Sequence, residues 1–217
     1  MKQVGLVLLT LVVVIGCKKP KDKTIDFGYN YLPLSVGAEH VYKVDSTVFN
    51  DFTGSDSTYT YRQREVIRET YTDAEGRTNY RVEVAKQIGD TGDWNIVRSY
   101  AWWKGPEAAQ RLDNNVRVVP LVFPVSKANI WDGNAFNKWP EADYRYDYVD
   151  RSETINGIVF DSVARVIQVA DTNNLVVKQY KEERYARNLG MVYQEFLHTV
   201  RKTGGDSGLH MVIQLEE

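Results

Sequence analysis

The 217-residue chain has one cysteine, Cys17, only three histidines and six prolines. A single thiol excludes an internal disulfide and any site built on two thiolates. The histidines, His40, His198 and His210, contain no i, i+2 or i, i+4 pair, so a histidine metal site would need long-range convergence. An excess of one charge is also missing. Lys and Arg number 27 against 29 Asp and Glu, a formal net charge of -2 that favours no nucleic-acid partner. No glycine-rich phosphate loop follows a strand and opens a helix. No apolar run reaches the about 20 residues that a spanning helix needs.

What is present begins at Met1. Met1-Lys2-Gln3 is a short basic start, Val4 to Gly16 is almost wholly apolar, and Val14-Ile15-Gly16-Cys17 closes the run with a small residue before the cysteine. That order is the layout of a bacterial lipoprotein signal. It predicts a signal peptide over 1–16 and lipid on the sulfur of Cys17, so that the membrane is reached through the acyl anchor. With Cys17 acylated, no cysteine nucleophile is left. Residues 17–26, with Lys18, Lys19, Lys21, Lys23 and Pro20, read as a flexible tether. Lys18-Lys19 lacks the aspartate of inner-membrane retention, and the acidic cluster of surface export is absent. The outer membrane, facing the periplasm, is the expected location.

Beyond the tether, strand periodicity dominates. Tyr59, Tyr61 and Gln63 alternate with Thr60, Arg62 and Arg64; Val82 and Val84 with Arg81, Glu83 and Ala85; Tyr144, Tyr146 and Tyr148 with Arg145 and Asp147. A period of two sends each set to one sheet face, and Tyr, Val and Thr suit a pleated surface. Turn signals punctuate the runs, and Asn156-Gly157 suits a two-residue hairpin because both residues tolerate positive φ. The expectation is an all-β, mainly antiparallel fold, one large curved meander sheet or half-barrel over 27–217, with at most one or two short helices. Ten strands are predicted, near 38–49, 56–71, 77–88, 93–103, 115–119, 141–154, 158–170, 175–186, 191–202 and 209–215. Gly105, Pro106 and Glu107 mark Pro106 to Leu112 as a short helix.

Pro33-Leu34-Ser35-Val36-Gly37-Ala38-Glu39-His40 aligns without gaps on Pro124-Val125-Ser126-Lys127-Ala128-Asn129-Ile130-Trp131. Either the likeness is chance, or the domain consists of two similar halves, near 27–119 and 120–217, sharing one sheet. Phe123-Pro124-Val125-Ser126 followed by Trp131 resembles a motif of many small, uncharacterised bacterial envelope lipoproteins. Tyr185-Ala186-Arg187-Asn188-Leu189-Gly190-Met191-Val192 is similar to their turn into a late strand. Ala128 and Asn188 stand where that family has glycine; Asn188 can still adopt the left-handed conformation of such a turn. The resemblance implies a half-barrel-like sheet similar to periplasmic lipoprotein carriers, and it brings no catalytic residues with it.

Candidate chemistry is sparse. Gly205-Asp206-Ser207-Gly208 is similar to the nucleophile loop of trypsin-like proteases. Leu209 replaces that family's next glycine, no histidine motif precedes it, and a hairpin turn explains the glycines. His198 and His210 flank that turn and could approach across it. Asp171-Thr172-Asn173-Asn174 reads as an Asx turn rather than a calcium loop, since it lacks the glycine and distal glutamate. Glu182-Glu183 must point to opposite sheet faces. No metal or cofactor is expected. Aromatics remain: Trp94, Trp102, Trp103, Trp131 and Tyr146 are the candidate ligand-binding residues, with Trp102 and Trp103 on opposite faces of one strand. The function this supports is a non-enzymatic envelope lipoprotein whose concave, aromatic-rich face binds an apolar or glycan ligand or a partner protein. A hydrolase of envelope glycan or lipid, and a structural subunit of an outer-membrane assembly, are the alternatives.

Overall fold

The computed structural model describes residues 25–89 and 91–216. Cys17, the leader and most of the tether lie outside the described residues. Twelve strands are present: β1 (Glu39–Asn50), β2 (Ser55–Thr72), β3 (Thr78–Gln87), β4 (Asn95–Lys104), β5 (Ala108–Asp113), β6 (Val116–Val122), β7 (Ile130–Asp132), β8 (Asp143–Ile155), β9 (Ile158–Asp171), β10 (Val177–Ala186), β11 (Gly190–Lys202) and β12 (Gly205–Leu215). They form one antiparallel sheet in the order β6-β5-β4-β3-β2-β1-β12-β11-β10-β9-β8-β7. The all-β, antiparallel meander expected from the periodicity is the observed fold.

Followed around, this order is the sequence order wrapped into a ring. The first and last strands pair along a continuous ladder from Tyr42↔Leu215 to Phe49↔Gly208. The opening lies mid-chain, between β6 and β7, and it is stitched rather than laddered. The Val119 N–H donates to Gly133 O at 2.9 Å, and the Trp131 indole N–H donates to Val119 O at 2.7 Å. The Tyr146 hydroxyl donates to Val122 O at 2.7 Å and accepts from the Val122 N–H at 3.1 Å. The sheet is thus nearly closed into a barrel. Register shifts leave extra residues in β2, β4, β8 and β9, and such bulges bend strands and raise local twist, which helps the sheet to curl.

Turn chemistry sets the register. Asn156 and Gly157 both have positive φ between Ile155 and Ile158, as their pairing in sequence predicts. Asn114 and Asn115 do the same between Asp113 and Val116. Asn188 is left-handed with φ 65. The aligned proline segments make the same bond at matching positions: the Ala38 N–H reaches Ser35 O at 3.1 Å, and the Asn129 N–H reaches Ser126 O at 3.0 Å. Each segment leads into the first strand of a six-stranded meander, β1 or β7.

The structure corrects three expectations. Residues 108–113 are strand β5, not the end of a helix. Gly105 N–H bonds Ala108 O, which closes a hairpin, and pairing on both sides outweighs the local helix signal of Pro106, Glu107 and two alanines. Ile130–Asp132, too short to show a period, is β7. Gly205 to Gly208 lie inside β12 and not in the turn, which is Thr203-Gly204. Gly208 meets the backbone of β11 so closely that a Cβ would stand 2.0 Å from His198 O. That contact accounts for the glycine of the protease-like motif.

One end of the barrel is strapped by residues 27–38. A 3₁₀ turn, Tyr29–Tyr31, sits within this strap. Tyr31 is fully buried, and its hydroxyl donates to Asp150 Oδ1 at 2.7 Å. The Lys104 ammonium donates to Leu32 O at 2.7 Å, and the Asn188 N–H donates to Asn30 O at 2.7 Å. The strap therefore ties β4, β8 and the β10–β11 turn together. Outward surfaces carry exposed ion pairs such as Arg68–Glu83 and Arg81–Glu69, which face water comfortably. Tyr31→Phe should lower stability by about 1 kcal/mol and Tyr31→Ala by about 3–5 kcal/mol in urea denaturation. In the same assay Gly208→Ala should be clearly destabilising, while Ser207→Ala should stay within about 0.5 kcal/mol of the parent.

Candidate functional site

Inside the barrel, between the strap and mid-height, lies a cavity of about 620 Å³. Strands from both meanders line it, β1 to β5 on one side and β10 to β12 on the other, and the strap and the β10–β11 turn lie at its rim. Such a volume is within the roughly 300–1,000 Å³ of ordinary small-molecule sites. One part of the wall is apolar, with Leu34, Ile67, Met191, Phe196, Leu209 and Met211. The other part carries Glu65, Arg98, Arg111, Asp113 and Lys181.

These charges are mostly matched within the fold. Arg111 donates to Glu183 Oε1 at 2.8 Å, and Gln194 donates to the same oxygen at 3.0 Å. The Tyr185 hydroxyl donates a short hydrogen bond to Glu183 Oε2. Burial alone would raise the Glu183 pKa, but the charges of Arg111 and Lys181 and the Tyr185 and Arg111 hydrogen bonds hold it below the usual carboxylate value. The Arg111 guanidinium also lies 5.4 Å from the centre of the Trp102 ring. Glu65 differs. Burial pushes its pKa up, and a 2.6 Å bond from Tyr100 and a 2.9 Å bond from Gln63 only partly offset this. Arg98 is ion-paired with Asp113, whose Oδ1 is buried without a protein partner. His40 is kept below its ordinary pKa by burial.

Lys181 stands apart. Its side chain makes no hydrogen bond or ion pair with any described residue. Its cross-strand neighbours are Phe196 and Val169. Burial drives its pKa down, opposed by the charge of Glu183.

The adjacent Glu182 is also fully buried but faces the other way. Arg165 reaches its Oε2 at 2.5 Å and Arg184 its Oε1 at 2.6 Å, with the Tyr180 hydroxyl at 2.5 Å. The opposite faces expected for this pair are observed; the complete burial of both carboxylates is not what the sequence suggested. A signal existed. Tyr180-Lys181-Glu182-Glu183-Arg184-Tyr185 has no aliphatic residue on either face, so a strand of this sequence in mid-sheet must bury charge.

The five aromatic candidates do not converge. Trp102 is buried and lines the cavity. Trp103, on the opposite face, packs on Gly105 with Arg77 5.4 Å from its ring centre. Trp94 lies under Arg64, at 4.8 Å. Trp131 and Tyr146 meet at 4.9 Å, but at the β6–β7 seam, where Tyr146 is only 2% exposed and bonded to Val122. Four of the five therefore pack or close the barrel, and the cavity wall owes its character to residues the sequence reading did not select. His198 and His210 do not meet: the register sets His198 opposite Leu209 and His210 opposite Leu197, on different faces. Among the described residues no group of three or more His, Asp or Glu is placed to hold a metal ion.

No family model matches the chain, and no curated protein matches it. Among solved structures, a Bacteroides fragilis protein described as exported, with a YmcC-like fold, aligns at TM-score 0.45 and 12% identity, covering 89% of this chain and all of that one. A Parabacteroides distasonis protein described as a lipoprotein aligns at TM-score 0.43 and 13% identity over the same shares. At scores this low the fold rests on the chain's own strand pairing.

Two predictions follow from the buried charges. Arg111→Met should cost about 3–5 kcal/mol, because it leaves Glu183 buried and uncompensated, whereas Arg111→Met with Glu183→Leu should cost much less. The two carboxylates act oppositely with pH. Glu183, depressed in the fold, contributes stability that is present above its ordinary value of 4.5 and lost as pH falls. Glu65, raised in the fold, contributes stability that is present below 4.5 and lost as pH rises through its folded value. Urea midpoints of Glu65→Gln, followed upward from pH 4.5, should fall less steeply than those of the parent.

Proposed function

We propose that this chain is a non-enzymatic envelope lipoprotein, anchored by acylated Cys17, that holds a small ligand with apolar surface inside its barrel. The observation that carries the reading is the interior cavity, whose walls are strands of both meanders rather than surface loops. Flexible Met191 and Met211 beside Phe196 and Leu209 suit an apolar body of variable shape. The leader pattern Val4–Cys17 supports export and lipidation, and Lys18-Lys19 supports the outer membrane as the destination.

The hydrolase alternative keeps one specific observation. Two carboxyl groups line the cavity in contrasting settings, Glu65 raised by burial and Asp113 paired with Arg98. Glu65, however, is already engaged by Tyr100 and Gln63, which leaves it poorly placed to serve a substrate.

Protein purified from membranes should release an apolar or amphiphilic compound seen by native mass spectrometry. Met211→Arg, which fills the cavity, should abolish that mass, and an unchanged compound in the variant would refute the reading. Cys17→Ala should lose labelled palmitate and membrane association together. Turnover of envelope glycan or lipid by the parent, lost in Glu65→Gln, would favour the hydrolase instead.

A further inference from the structure

We infer that the cavity selects its ligand by the head as well as the body: Lys181 receives the single anionic group, carboxylate or phosphate, of an amphiphile whose apolar part lies against Met191, Phe196, Leu209 and Met211. The inference rests on the ligand-holding reading of the cavity and narrows it to a ligand class.

The inventory of cavity-lining cations leads there. Arg98 is committed to Asp113, and Arg111 to Glu183. The buried His40 favours the neutral imidazole. Of the permanently charged lining cations, Lys181 is the one whose side chain has no hydrogen bond or ion pair among the described residues. The opposite charge it feels, Glu183, is saturated by Arg111, Gln194 and Tyr185. The Asp113 Oδ1 without a partner is an acceptor on a carboxylate that Arg98 already balances, so it adds no attraction for an anion.

A largely buried ammonium whose opposite charge, Glu183, is already shared with Arg111 lowers stability, and a methionine would fill the same strand position without that penalty. Phe196 and Val169 are its cross-strand neighbours, so the register offers apolar side chains beside its stem and no partner for its head. A ligand anion supplies what the fold withholds. Glu65, the other carboxyl group of the lining, is engaged by Tyr100 and Gln63 and pushed toward its neutral form by burial, so the Lys181 ammonium calls for an anionic group from outside, and the Met-, Phe- and Leu-lined wall calls for an apolar body attached to it. Inorganic phosphate alone would satisfy the first requirement and waste the second.

The test uses the full chain, delipidated on a hydrophobic resin, with cis-parinaric acid and its methyl ester as fluorescent probes. The parent should bind the acid about 10–100-fold more tightly than the ester, the range a charge-assisted hydrogen bond spans. Lys181→Met should lose the preference and bind acid and ester alike, and Lys181→Arg should restore the preference. Displacement by 1-oleoyl-lysophosphatidic acid would point to a phosphate head, and displacement by oleic acid alone to a carboxylate; inorganic phosphate should displace nothing. Thermal melting adds a second readout. Ligand-free Lys181→Met should melt about 2–4 °C higher than the parent, whereas a merely structural lysine would give a lower value. Equal binding of acid and ester by the parent, or a preference that survives in Lys181→Met, would overturn the headgroup assignment and leave the apolar cavity reading intact. Binding of neither probe would overturn both.

Discussion

The ladder between β1 and β12 is the constraint on which the rest depends. It joins the two ends of the described fold, Tyr42↔Leu215 to Phe49↔Gly208, and turns a strip of consecutive hairpins into a ring. Every other pairing is between neighbours in sequence and needs only a turn. This one closes a loop of nearly the whole domain, so its entropy cost is the largest, although that cost grows only slowly with length. Without it the two meanders would lie side by side with their concave faces open. The cavity, whose walls come from both, would not exist.

Ring closure also explains how so much charge is tolerated inside. Glu183 on β10 is met by Arg111 on β5, an element from the other meander on the far side of the ring. Glu65 on β2 is met by Tyr100 on β4. On an open sheet these side chains would face water and cost nothing; once enclosed, each needs a partner, and nearly all have one. The barrel is thus held by matched polar contacts across its interior as well as by aliphatic packing. In the cavity, the Lys181 ammonium and one oxygen of Asp113 are left without a hydrogen-bond partner among the described residues.

The seam and the strap show how the ring manages its remaining edges. β6 and β7 lack a ladder, yet Val119, Trp131 and Tyr146 bridge them through backbone groups, so neither edge offers a long template for adding a strand. Pro120, buried within β6, is tolerated because that strand is an edge. The aromatics that looked like ligand platforms are largely used in this work. Trp131 and Tyr146 close the seam, and Phe27 stacks on Tyr29, which meets Phe123 edge to face, where the strap meets the β6–β7 connection. A flat face with a polar tip serves equally well for gripping a ligand and for sealing a barrel, so residue type alone does not separate the two uses.

What the sequence determined by itself is the local grammar. Period-two alternation around Tyr59, Val82 and Tyr144 dictated strands, and Asn156-Gly157 and Asn188 dictated turns, because side-chain alternation and positive φ are properties of a few adjacent residues. The meander followed from turns between neighbours. Where local signals misled, as at Pro106 to Leu112 and Gly205 to Gly208, a cross-strand partner distant from the local pattern decided the outcome. The site was almost wholly a tertiary decision. Which face of each strand turned inward, that Arg111 would meet Glu183 and that the Lys181 ammonium would be left without a hydrogen bond, depended on how far the sheet curled and where its ends joined. A single strand's pattern carries no information about the charge waiting across the ring, and only the closed barrel brings the two together.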